Sequence, residues 1–407
     1  MVSGFPKLLV ATEFSPNSAG GGGAIVRQML KEWPVEKLFW WSCIPEVNHK
    51  FGQNVAAHEI AGIPARLNPN RRGRQLKCWL LNNLWVPWAE RHLKKTLHAF
   101  KPDVIWAIPH CWSVPPLARV LPDAGINFHV SIHDYQDIRG AVNRFGLDVC
   151  RKLSGKTDLL YAKASTRDSI CRQMADDLKA RTGVSGTITR AGLEAEDFDY
   201  LSENSESPEG SIHIAYAGTV IAEETFAIFV KALALIRSWL PLPLTLDFFG
   251  DHSYHSRSWF KSDWMREHGN LAAGELSLAL KKCTWGFAPM ELTDDNPRYN
   301  RFSLPTKFAS YLAAGLPMIV LGHKESTVIK MASRYHVGLC STCADPENLA
   351  SSLRICLSEQ NAKKKYRAEI QRCALAEFDA RRMRANLCEN FQRSSSTTAR
   401  SLKIKQP

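Results

Sequence analysis

Short apolar runs bounded by Gly, Pro, Asp or Asn recur along the chain: 7–14 (KLLVATEF), 38–43, 103–108 (DVIWAI), 127–132 (NFHVSI), 213–217, 244–249, 284–289 and 318–321. Within each, apolar residues follow one another with little alternation. That pattern predicts strands covered on both faces, as in a parallel sheet. Between them lie segments of helical period, such as 226–239, 271–282, 345–357 and 361–383. Strands alternating with helices predict an α/β fold with parallel sheets. The alternation runs once, meets a polar stretch at 202–211 (SENSESPEGS) and restarts. Two Rossmann-like domains facing across a cleft are therefore expected, over 1–201 and 212–380, with 202–211 as linker. Residues 394–407 are polar and basic, and are expected to be disordered.

Open parallel sheets bind ligands beyond the carboxyl ends of their strands. Four stretches fall there. Gly20, Gly21, Gly22 and Gly23 follow the first strand, where glycine lets a backbone approach a ligand; a plain flexible turn reads equally well. The pattern is neither G-x-G-x-x-G nor a P-loop. His133 and Asp134 follow the strand at 127–132, and an imidazole there can donate a hydrogen bond or move a proton, although most lone histidines do neither. Gly218-Thr219 and Gly250-Asp251 follow two strands of the second half. The fourth stretch, 299–321 (YNRFSLPTKFASYLAAGLPMIVL), joins a basic approach (Arg298, Arg301) to a helix begun near Pro305 and closed at Gly315. Lys307 stands at that helix start, where unpaired backbone N–H groups favour an anion. An ordinary helix start without a ligand is the competing reading.

At 407 residues the chain has room for about two domains. Its formal charge of +12 favours an acidic partner without choosing among nucleic acid, membrane and phosphorylated substrate. The stretch 71–101 concentrates that charge: Arg71, Arg72, Arg74, Lys77, Arg91, Lys94, Lys95 and Lys101, with Trp79, Trp85 and Trp88 interleaved. This suits an anionic membrane surface, or equally a solvated helix whose tryptophans face its own core. No nucleic-acid-binding motif is present, so no nucleic-acid partner is expected. No apolar run is long enough to span a membrane, and the N-terminal apolar core is too short for a signal peptide, so a cytoplasmic protein is expected, free or peripheral on the inner face of the membrane. The 11 cysteines are scattered; Cys340 and Cys343 form one C-x-x-C with no second pair nearby, and no metal is expected.

The spacing Ser303-x-Pro305-x-Lys307-x-x-x-Tyr311-Leu312-x-Ala314-Gly315-x-Pro317 resembles the donor-domain signature of GT-B fold nucleotide-sugar glycosyltransferases, especially the retaining bacterial polysaccharide enzymes (glycosyltransferase family 4). The glycine stretch after the first strand, the strand-then-His133 unit, a strand at 158–164 followed by Ser165 and a helix, and 187–198 resemble other parts of that family's plan. The resemblance implies transfer of a sugar from a nucleotide diphosphate to an acceptor hydroxyl, in polysaccharide or glycolipid assembly, without a metal cofactor. It implies donor contacts from Gly21, Gly22, Gly23, Gly218, Thr219, Gly250, Asp251, Arg298, Ser303 and Ser310. It implies roles at the reaction centre for His133, Lys307 and Arg301, and a last helix (381–393) that crosses back to the first domain.

The chain also departs from the family. Gly218-Thr219 stands where Gly-Arg is frequent, Glu223-Glu224 where a Lys follows, Ser310 where a ribose-binding Glu is usual, Phe302 at the first Glu of E-x7-E, and Ala191 where Asn is common. These departures keep a non-catalytic nucleotide- or partner-binding relative open as an alternative. A nucleotide-sugar epimerase is a second, with His133, Asp134 and Glu291 as its available acid/base groups.

Overall fold

A computed structural model describes residues 4–18, 20–44, 53–67, 73–202 and 210–403. The chain divides into two compact units: Met1–Arg190 with Arg382–Pro407, and Ala191–Arg381. The first boundary lies near 190 rather than 201. Most of the expected linker, 203–209, lies outside the described residues; Ser202 closes the helix Ala195–Ser202.

The first unit is built on a seven-stranded sheet of order β3-β2-β1-β4-β5-β6-β7: β1 Leu8–Thr12, β2 Leu38–Ser42, β3 Ala57–Ile60, β4 Val104–Ile108, β5 Phe128–Ile132, β6 Thr166–Ser169 and β7 Thr187–Ile188. All pairs are parallel. Strands β1, β4 and β5 are buried at every position, which is why apolar residues dominate them; β5 also buries His129 and Ser131. Two buried indoles within the sheet satisfy their N–H groups on neighbouring strands: Trp40 donates to Thr12 Oγ1 at 2.9 Å and Trp106 to Ser131 Oγ at 2.7 Å. The segment 158–164, expected as a strand, is the end of the helix Leu147–Lys163, whose buried Leu153, Thr157, Leu160 and Tyr161 recur at helical spacing. The strand is the polar Thr166–Ser169 that follows.

The second unit carries a six-stranded parallel sheet of order β10-β9-β8-β11-β12-β13: β8 Ile212–Ala217, β9 Leu244–Phe249, β10 Met265–Glu267, β11 Trp285–Pro289, β12 Met318–Leu321 and β13 Gly338–Ser341. An aromatic core fills one face, with Phe229 stacked on Phe287 at 3.6 Å and Tyr216, Phe226, Phe248 and Trp259 around them. The stretch around Arg298 is a short helix, Pro297–Phe302, followed by the expected helix, Thr306–Ala313. Tyr311 locks the second helix to the sheet. Its hydroxyl accepts from the Ala217 N–H at 2.9 Å and faces the carbonyls of Ala215 and Phe287 at 3.2 and 3.1 Å. Only glycine fits beneath its ring, since a Cβ at Gly286 would lie 2.6 Å from it.

The final helix, Ala380–Lys403, belongs to the first unit from Arg382 onward. Phe391 is fully buried there against Trp33, Trp106 and His129. Its backbone stays helical to Lys403, so the tail expected to be disordered from 394 begins as helix. Once a helix is docked, each further residue adds a hydrogen bond at low cost. Residues 404–407 lie outside the described ones. No helix among the described residues is long and apolar enough to cross a membrane.

Replacing Tyr311 by Phe should lower unfolding free energy by about 1–3 kcal/mol, the cost of leaving a buried N–H unpaired. Chemical denaturation of the two proteins measures it.

Candidate functional site

In each sheet the strand order reverses beside one strand, β1 in the first unit and β8 in the second. The crevice beyond the carboxyl end of that strand is where such sheets take ligands. Both crevices hold residues expected from the sequence.

In the first unit, Gly20 is extended and caps the helix Gly21–Met29, so Gly21, Gly22 and Gly23 form its first turn rather than an open loop. Arg27 fastens the approach, donating to the carbonyls of Ser18 at 2.6 Å and Pro16 at 3.2 Å. Gly22 abuts the candidate histidine: a Cβ there would lie 3.5 Å from His133 Nδ1 and 3.3 Å from the Phe14 ring. His133 is 8% exposed, and neither ring nitrogen has a hydrogen-bond partner among the described residues. Burial drives its pKa down to about 4, against a partial upward pull from Asp168 and with a further push from His110. It is therefore a neutral imidazole at pH 7, with one donor and one acceptor nitrogen unspent. Asp134 does not orient the ring by a hydrogen bond; its own carboxyl is raised by burial, with His110 pulling the other way.

In the second unit the crevice is formed by Gly218, Gly250 and Lys307. Gly218 has φ +94°, a conformation that favours glycine. A Cβ on Gly250 would lie 3.2 Å from the Gly218 carbonyl oxygen, and the Lys307 side chain passes 4.0 Å from where a Gly218 Cβ would be. The following turn is pinned: the Tyr216 hydroxyl donates to the Thr219 carbonyl at 2.6 Å, and Thr219 Oγ1 lies 3.2 Å from His252 Nδ1. Asp251 is exposed beside it. The Lys307 ammonium lies 3.9 Å from the centre of the Tyr216 ring. Desolvation lowers its pKa to about 7, which a cation–π contact does not fully offset.

Other expected groups are placed differently. Arg301 is exposed and turned to Asp294 at 3.7 Å, with no contact to Lys307 or Gly218 among the described residues. Its charge is shared with acidic neighbours that sequence order did not reveal. Ser310 bonds back to the Thr306 carbonyl of its own helix at 3.4 Å. Ser303 is half-buried and ends the short helix, its N–H bonded to the Tyr299 carbonyl, and Arg298 is half-buried within that helix. Glu223, in the first turn of the helix Glu223–Ile236, accepts from Trp259 Nε1 at 2.8 Å and lies 3.6 Å from Arg257. Two groups went unread in the sequence: His252 beside Thr219, and a Glu13–His110 pair at 2.7 Å joining the ends of β1 and β4. The signal for the pair was its position directly after two strands that turn out to be neighbours.

Two parallel-sheet α/β units of this kind define the GT-B fold, and the chain has that fold. It is similar to the Anabaena protein HepE, whose structure was determined in complex with UDP and glucose (13% identity, 95% of this chain and 99% of that one, TM-score 0.65). It is also similar to α,α-trehalose 6-phosphate synthase from Burkholderia multivorans (12%, 99% of each chain, 0.64) and to sucrose-phosphate synthase from Thermosynechococcus elongatus (10%, 96% and 100%, 0.63). No protein-family model and no curated protein sequence matches the chain.

The unfolded chain protonates histidine near 6.5, whereas folded His133 resists protonation down to about 4. Its contribution to stability is thus present above pH 6.5 and is lost as pH falls toward 4. Between pH 7 and 5 the melting temperature of the native protein should fall more steeply than that of His133→Gln; equal slopes would refute the assignment.

Proposed function

We propose that this protein is a glycosyltransferase that moves a sugar from a nucleotide diphosphate to an acceptor hydroxyl. The observation that carries the reading is Lys307, a desolvated cation set against two strand-end glycines at the switch point of the second unit. The fold shared with HepE, which was solved with UDP and glucose, supports it.

In this reading the donor diphosphate lies over Gly218 and Gly250, where the backbone is bare, and against the start of the helix Thr306–Ala313. An arriving diphosphate raises the Lys307 pKa again, so the ammonium is charged when it is needed. The bond between the anomeric carbon and the diphosphate oxygen breaks, a bond to the acceptor oxygen forms, and the acceptor proton leaves to the departing phosphate. Negative charge gathers on the diphosphate, and a preoriented cation with little water around it stabilises that charge most effectively. Lys307 and the helix end take the part of a metal ion, so transfer is metal-independent. In the first unit, the resemblance gives His133, beside Gly21, Gly22 and Gly23 and with two unspent nitrogens, a role toward the sugar. Thr219, Asp251, Arg298, Ser303 and Ser310 line the donor side, and Ser310 as a neutral group holds a ribose hydroxyl more weakly than a carboxylate would. Arg301 leaves Asp294 to join the phosphates. Retention of configuration follows from the resemblance of the 303–317 signature.

The acceptor is assigned to polysaccharide or glycolipid assembly at an anionic membrane. The segment 71–101 supports this. Trp85 is buried, but Trp79 (57% exposed) and Trp88 (43%) stand outside with Leu76 and Leu84, flanked by Arg74, Lys77, Arg91, Lys94 and Lys95. A π-helical stretch, Leu81–Trp85, turns the phase between the helices Arg74–Leu80 and Val86–Phe100. A groove of about 490 Å³ on the same helix is lined by Lys94, His98, Lys101 and Arg119. Arg71 and Arg72 lie outside the described residues.

A panel of nucleotide sugars, assayed for transfer and hydrolysis, tests the reading. Lys307→Met should weaken nucleoside diphosphate binding by about 10- to 100-fold, the worth of one charge-assisted hydrogen bond. It should also raise the melting temperature at pH 6 by removing a desolvated charge; unchanged turnover would sink the assignment. The native protein should gain stability as pH rises from about 7 toward 10.5, because the unfolded lysine holds its proton longer, and the variant should lack that gain. Replacing both Trp79 and Trp88 by Ala should abolish sedimentation with phosphatidylglycerol vesicles while leaving nucleotide binding intact; unaltered sedimentation would refute the membrane contact.

A further inference from the structure

The switch point of the first unit holds three metal-ligating side chains that the transfer reading does not use. Glu13 follows β1 and His110 and Cys111 follow β4, the two strands flanking that point. One ligand atom from each lies within 4.8 Å of the other two. Glu13 Oε2 is 2.7 Å from His110 Nδ1, and Cys111 Sγ is 3.8 Å from His110 Nε2.

Adjacent residues ordinarily turn their side chains apart. Here Cys111 has φ +42°, a conformation uncommon for a residue with a side chain, and its thiol stands against the neighbouring imidazole. The turn is held from several sides. Buried Gln136 accepts from the Cys111 N–H at 2.7 Å and donates to the Pro109 carbonyl at 3.1 Å; the Ser113 hydroxyl accepts from the His110 N–H at 2.9 Å. Strained backbone persists only where its surroundings over-determine it, and it concentrates at functional sites.

We propose that Glu13, His110 and Cys111 form a binding site for a transition-metal ion of the zinc class. A tetrahedral ion with its usual bond lengths sets nitrogen and sulfur about 3.6 Å apart, close to the observed 3.8 Å. His110 Nε2 and the Cys111 thiolate are the direct ligands, and the thiol proton goes to solvent. Glu13 receives the Nδ1–H, which fixes the tautomer that leaves Nε2 free to bind; such carboxylates are worth 10- to 100-fold in metal affinity. The His110 side chain is about one-third open to solvent, which gives an ion its way in and leaves coordination positions for water. The alternative pair, Cys340 and Cys343, belongs to no such cluster among the described residues, and the Cys343 thiol is turned to the Asp345 carbonyl.

Cobalt(II) titration of the reduced full-length protein tests this through the thiolate-to-cobalt absorption band, with zinc as competitor. One equivalent of cobalt should give the band, and zinc should displace it. Cys111→Ser and His110→Gln should each abolish it, Glu13→Gln should weaken binding by 10- to 100-fold, and the double variant Cys340→Ser/Cys343→Ser should keep it. Metal-free melting curves check each variant's fold; should Cys111→Ser fail to fold, His110→Gln decides. Absence of a band, a band unchanged in His110→Gln, or its loss with Cys340 and Cys343 would each overturn the proposal. The readout is the metal itself, so the result is independent of whether the protein transfers sugar.

Discussion

The hydroxyl of Tyr311 holds the second unit's site in place. It meets three main-chain groups of β8 and β11 at once, at a depth where burial keeps the phenol un-ionised. Lys307 stands one helical turn before Tyr311, on the same side of the helix Thr306–Ala313. Whatever fixes the tyrosine therefore fixes the lysine over Tyr216. Gly286 is part of this arrangement although it touches no candidate ligand, since any side chain there would lift the ring and the helix with it. The residues that aim the cation, Tyr311 with Gly286 beneath it, are thus buried and neutral.

The two helix starts differ in charge, and so in how well each would suit an anion. After β8 the chain enters a helix through Glu223 and Glu224, and two negative groups in a first turn disfavour a phosphate. Glu223 is instead spent on Trp259 and Arg257. The helix Thr306–Ala313, between β11 and β12, begins with no acid in its first turn and brings its own lysine. The lysine's desolvation destabilises the fold, and the same low polarity strengthens any charge it later meets.

Most of the strands were legible because parallel strands buried on both faces are largely apolar; β4 is wholly so and β1 up to Thr12, while β9 buries Thr245 and Asp247 among its apolar residues. The strands that escaped notice are short or polar. In β6 one oxygen of the buried Asp168, Oδ2, meets His129 Nε2 at 3.0 Å, a partner 39 residues away. The segment 158–164 misled because the buried face of a helix end can look like a strand over a few residues. Lys307, Gly218 and Gly250 each sit directly at an element boundary, which local pattern shows, and they lie close together. The Arg301–Asp294 ion pair depends on how a loop folds back, which local pattern does not show. Glu13 and His110, 97 residues apart, meet only through the order of strands in the sheet, which local pattern does not encode.

The return of the last helix sets an order of events during synthesis. Phe391 closes the core over Trp33, Trp106 and His129, yet it is added only after the whole of Ala191–Arg381 has been synthesised. The second unit is continuous in sequence and has every strand it needs once it emerges. The first unit, although translated first, waits with two tryptophans uncovered until the end. Its exposed apolar surface is then the part of the nascent chain with most to gain from a holding chaperone, and a chain stopped short of Phe391 carries that exposure permanently.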